Sequence, residues 1–131
     1  SDGLSITAAE SWFKVKVQLI QSYLQAFIMN ASPKADEIIF VDLVSGSGLF
    51  STGHQKSIFP GSNLASLSLD HPFHRWLFFF FFSEQATALA KRVKKYFPGK
   101  DVSVSVSAVQ YRREAFRSWI QFPDTLYLCL E

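Results

Sequence analysis

The sequence predicts an α/β domain with a mostly parallel sheet, and three observations lead there. Apolar runs of strand length alternate with amphipathic segments of helix length along the chain. Two of those runs, IIFVDL at 38–43 and LFFFFF at 77–82, are apolar on both alternating faces, the pattern of strands covered above and below by helices. With 131 residues, 48% of them hydrophobic and 18% charged, the chain is long enough for one layered core and too apolar for disorder. A single domain over 1–131 follows, with 1–33 as a helical lead-in.

TAAE at 7–10 has the form of a capping box and predicts a helix starting at Thr7. Phe13, Val17, Ile20, Leu24, Phe27 and Ile28 give it one apolar stripe, and Pro33 stops it. The first apolar run is the first strand, GSNLASL from Gly61 a short helix, and the phenylalanine run the second strand. SEQATALAKRVKKYFPG then predicts a helix with Ala86, Leu89, Ala90, Val93 and Phe97 inward and Lys91, Lys94 and Lys95 largely outward, closed by Pro98 and Gly99. DVSVSVSAV alternates valine and serine, as a strand at a sheet edge does. YRREAFRSWIQF is a weaker helix with Ala115, Phe116, Trp119 and Ile120 as its stripe, and TLYLCL from Thr125 is a last strand. Strands alternating with helices pair in parallel through right-handed crossovers, and such sheets bind ligands at their carboxyl ends.

The formal charge of +2 is too balanced to announce a nucleic-acid or membrane surface. A lone cysteine, Cys129, forms no intramolecular disulfide and fits a reducing, cytoplasmic setting. The apolar stretch at 76–82 is far short of the roughly 20 residues that span a bilayer, so no membrane partner is expected.

The chemistry concentrates in FVDLVSGSG at 40–48. Gly46 and Gly48 permit a sharp turn with bare backbone, and Asp42 places an acceptor at the strand end. Ser51 stands where the dinucleotide fingerprint needs a third glycine, and His54 follows Gly53 where a phosphate loop needs lysine, so neither motif is met. Glu84 follows the second strand, where an acid can accept two hydrogen bonds from ribose hydroxyls; it serves equally as an acid at a helix N-terminus. His71 and His74 in DHPFHRW read as a surface turn rather than a metal site, and His54 as exposed. Lys91, Arg92, Lys94 and Lys95, with Arg112, Arg113 and Arg117, read as solvated helix faces, and Phe78 to Phe82 as core.

Taken together, Lys16 with LIQSYLQAF, FVDLVSGSG, GSNLASL and FSE at 82–84 resemble, in order and spacing, the S-adenosylmethionine-dependent methyltransferases, and more closely the three-Cys-motif partner proteins. The resemblance covers roughly residues 12–97. It implies a Rossmann-like methyltransferase three-layer αβα sandwich, of which this chain carries the first four strands in the order 3-2-1-4, a truncated or minimal half. It also implies S-adenosylmethionine as cofactor, with Asp42, Ser45, Gly46 and Gly48 along its methionine and ribose side and Glu84 on the ribose hydroxyls. Ser47 and Asn63 stand where the family carries proline, and no adenine-side acid is evident in SVSAVQYRRE. The methyl acceptor it suggests is a nucleic acid or a protein, and the catalytic residues stay unassigned. A second function fits the departures: a non-catalytic α/β module that binds protein partners. Leu126, Leu128 and Leu130 would lie on one face of an edge strand, so self-association through residues 126–130 is expected.

Overall fold

The computed structural model describes residues 2–43, 45–52, 57–70, 73–106 and 125–130, with backbone alone at 57 and 125–130. The expected helix within 107–124, with Arg112, Arg113, Arg117 and Trp119, lies outside the described residues, as do His54 and His71. The chain is mixed α/β. In order it runs β1 (Thr7–Ala9), α1 (Trp12–Ala31), a 3₁₀ turn (Ser32–Lys34), β2 (Glu37–Asp42), β3 (Leu49–Thr52) and β4 (Ser57–Pro60). There follow α2 (Ser62–Leu67), β5 (Arg75–Phe80), α3 (Ser83–Tyr96), β6 (Val102–Val106) and β7 (Thr125–Leu130).

Four strands form a sheet in the order β6-β5-β2-β7 with every pair parallel. Counting the four expected strands along the chain, this is the order 3-2-1-4. β2 is central because both its faces are apolar: Ile38, Ile39, Phe40 and Val41 are all buried. Ile38, Phe40, Trp76, Phe78 and Phe80 face one way, where Leu24 and Ile28 of α1, Leu64 and Leu67 of α2, and Leu89 and Val93 of α3 close over them. Ile39, Val41, Leu43, Leu77 and Phe79 form a second buried cluster on the opposite face. The serines of β6 are exposed, as the valine–serine alternation predicts for an edge. β5 is preceded by His74, whose backbone N–H donates to the Ile38 carbonyl while Ile38 N–H donates to His74 Nδ1, both at 2.9 Å. That histidine serves strand pairing.

α1 uses the predicted stripe, burying Val17, Leu24 and Ile28, and the Ser32 hydroxyl donates to the Ile28 carbonyl at its end. Its outer face is also apolar, with Trp12, Val15, Leu19, Tyr23 and Met29 exposed.

Four points differ from expectation. No helix starts at Thr7: Thr7–Ala9 is a strand paired in parallel with β3, and α1 begins at Trp12, so the lead-in is not wholly helical. The Thr7 hydroxyl is bonded to the Ser47 hydroxyl at 3.0 Å instead of capping a helix, a long-range contact that outweighs a local preference. The β3–β4 hairpin was not expected; with β1 it makes a second, three-stranded sheet. The phenylalanine run leaves the core at its end, with Phe81 and Phe82 49% and 65% exposed. In α3, Ala88 is buried where Ala90 was expected. Among the described residues no helix is long and apolar enough to cross a membrane.

Candidate functional site at the carboxyl end of the parallel sheet

Parallel pairing of β2 with β5 sends both strands toward one edge, so Asp42 and Glu84 arise from neighbouring strand ends. Asp42 is the last residue of β2 and is 4% exposed. By strand alternation it shares the side of Ile38 and Phe40, the face that α3 covers. Glu84 is exposed in the first turn of α3, where the helix dipole favours its charge. The chain turns from β2 toward β5 and β6 and then returns to β7 on the other side of β2. Such a reversal point is where open parallel sheets form ligand crevices.

The loop after β2 is held from three sides. Ser45 N–H donates to the Phe79 carbonyl at 2.8 Å, tying the loop to β5. Asn63, 2% exposed in the first turn of α2, donates from Nδ2 to Ser45 Oγ and to the Gly46 carbonyl, each at 2.9 Å. Its Oδ1 accepts the Leu64 N–H at 2.7 Å, and its carbonyl accepts the Ser66 hydroxyl at 2.6 Å. Gly61 N–H donates to the Gly48 carbonyl at 2.8 Å. From α3, Arg92 Nη1 donates to the Ser47 carbonyl at 2.8 Å.

Both loop glycines are crowded by neighbouring side chains, and Gly48 also adopts a left-handed backbone conformation. A Cβ on Gly46 would meet the Phe50 ring at 2.9 Å. Gly48 has φ +102°, and a Cβ there would lie 3.0 Å from Leu89 and 3.1 Å from Leu64. The bare side of the turn therefore faces the interior, whereas the sequence suggested bare backbone left for a ligand. Ser45 is likewise buried, its hydroxyl taken by Asn63.

A cleft of about 340 Å³ opens beside α3, with Gly3, Leu4 and Ser5 on one side and Ser83, Glu84, Thr87 and Ala88 on the other. This volume falls at the small end for organic ligands. Of the five residues singled out from the sequence, Glu84 lines the cleft, while Asp42, Ser45, Gly46 and Gly48 do not.

Sequence reasoning missed Arg92. Expected on a solvated face, it is fully buried, and it grips Asp2 through two hydrogen bonds, Nε to Oδ2 at 2.8 Å and Nη2 to Oδ1 at 2.9 Å. Hydrogen bonding from Arg92 holds the Asp2 carboxyl well below the usual carboxylate range, against the opposing effect of burial. The available signal was its spacing, three residues after Leu89 and four after Ala88, at the margin of the apolar stripe. Lys91, Lys94 and Lys95 are exposed as expected. No group of three or more potential metal ligands occurs among the described residues. Comparison with family models, with curated proteins and with solved structures found no match to this chain.

Proposed function

We propose that the domain binds S-adenosylmethionine at the carboxyl end of its parallel sheet, as a Rossmann-like, methyltransferase-related fold. The observation that carries this reading is an acid following each of two adjacent parallel strands, Asp42 closing β2 and Glu84 in the first turn of the helix after β5, of which Glu84 lines a cleft. The strand order β6-β5-β2-β7 supports it, being the order implied by the resemblance. Glu84 suits a vicinal diol, because one carboxylate can accept from both hydroxyls. Ser5, Ser83 and Thr87 lie along the cleft, and the loop at 45–48, which does not line it, is linked to its wall through Arg92, which donates to both the Ser5 and Ser47 carbonyls. The cofactor would supply an electrophilic sulfonium methyl; the protein would contribute positioning and exclusion of water. Nucleic acid is the acceptor class to test first, by a salt-dependent mobility shift with DNA and RNA.

Calorimetric titration with S-adenosylmethionine tests the reading. Glu84→Ala is expected to weaken binding by about tenfold, the loss of charge-assisted hydrogen bonds worth roughly 1.5 kcal/mol. Its melting temperature should fall by no more than a few degrees, since the side chain is exposed and only its favourable interaction with the helix dipole is lost. Asp42→Asn should weaken binding as well. A wild-type protein that gives no binding heat and no cofactor-dependent shift in melting temperature overturns the proposal.

One observation favours a second reading, a non-catalytic module acting through protein contacts. The glycine turn packs against Phe50, Leu64 and Leu89 and so explains its own composition without a ligand. In that reading β7, at one edge of the four-stranded sheet, is the recruiting element. The expected result is a concentration-dependent dimer in light scattering. A strict monomer across the concentration range removes pairing through residues 126–130.

A further inference from the structure

The Arg92 guanidinium joins three segments distant in sequence. Besides its fork on Asp2, its Nη1 donates to the Ser5 carbonyl at 2.6 Å and to the Ser47 carbonyl at 2.8 Å. Asp2 Oδ1 also accepts the Leu4 N–H at 3.1 Å, so the same carboxylate shapes the next turn of chain. The side chains of the pair are 0% and 4% exposed. An apolar residue could fill such a site without the desolvation that a buried charge incurs. What the planar fork adds is direction: it fixes an approach angle and a register that a greasy contact would leave free. The chain so fixed is the stretch that faces Glu84 across the cleft.

We propose that Arg92 is a positioning residue of the Glu84 cleft, holding residues 2–5 as a strap that forms the second wall and locking that wall to the glycine turn through Ser47. The identity of the ligand rests on the adenosyl reading above; the strap does not. Arg92 itself does not line the cleft, so it acts through Asp2, Ser5 and Ser47. A ligand seated between Glu84 and Ser5 would meet a wall already in place, avoiding the entropy of ordering that stretch on binding.

Backbone ¹⁵N relaxation and S-adenosylmethionine calorimetry test this on the full chain. In the wild type the amides of Gly3, Leu4 and Ser5 should be as rigid as ordered backbone, with order parameters of about 0.85. In Arg92→Met, and independently in Asp2→Ala, they should fall below about 0.6 while Phe40 and Phe78 stay unchanged. Both variants should bind the cofactor about tenfold more weakly. Val93→Ala, which trims the core on the same helix without touching the strap, separates positioning from mere stability and should retain wild-type affinity. Residues 3–5 remaining rigid in both strap variants overturns the strap. Unchanged affinity in those variants, or equal weakening in Val93→Ala, overturns the positioning role. A wild type that binds no S-adenosylmethionine overturns the adenosyl reading alone, because the relaxation result decides the strap without ligand.

Discussion

Asp2→Ala is expected to lower the unfolding free energy by about 3 kcal/mol at pH 7, because it strands a guanidinium whose surroundings were built for a carboxylate. Arg92→Met should cost less, about 2 kcal/mol, since Asp2 can swing into water with its short segment while only the Ser47 carbonyl stays buried and unpaired. The double variant should lie near the Arg92→Met value instead of the sum, as expected when both members of one buried pair are removed together. Urea denaturation of the four proteins measures this, and strictly additive effects would show that the two side chains do not act as a unit. The pair also predicts an acid limb. Its carboxyl is depressed in the native state, so its stabilisation is complete above the unfolded value of 3.8 and is lost as pH falls through the native one. Between about pH 4 and pH 2 the wild type should therefore lose stability more steeply than Asp2→Ala.

Asn63→Leu is the second large effect, with an expected loss of about 3 kcal/mol, or roughly 10 °C in melting temperature for a domain of this size. Leucine matches the volume but strips partners from Ser45 Oγ, the Gly46 carbonyl and the Leu64 N–H. Each orphaned buried group costs on the order of 1–3 kcal/mol, and the Ser45 hydroxyl can recover part by rotating. Asn63→Asp should cost at least as much, because although one oxygen keeps an acceptor for Leu64 N–H, the other faces the Gly46 carbonyl and leaves a buried charge without a counter-charge. Equal stability of Asn63→Leu and wild type in thermal denaturation would show that the loop's hydrogen bonds to α2 contribute nothing.

Asn63 and Ser47 illustrate what sequence comparison conceals. Against the family pattern both read as departures from proline. In the structure the first bridges α2 to the turn, and the second offers its carbonyl to Arg92 and its hydroxyl to Thr7 and the Leu49 carbonyl. Proline at either position could not make these side-chain contacts.

The sequence alone determined the four-stranded sheet: that the runs forming β2, β5, β6 and β7 are strands, that they pair in parallel, and which face of α1 turns inward. These properties follow from hydrophobic period, which is written locally and needs no partner to be read. It also placed Asp42 at the tip of one strand and Glu84 just beyond the tip of its neighbour, because parallel connection dictates the edge at which both strands end. Only the tertiary structure decided that Thr7 enters a strand, that the glycine turn faces Phe50, Leu64 and Leu89, and that Arg92 is buried on a carboxylate 90 residues away. A charge reads as solvated until its counter-charge is located, and nothing in a helix's own period reveals a partner from the far end of the chain. Burial of polar groups is decided by such long-range pairing, whereas burial of apolar groups is decided largely by their spacing.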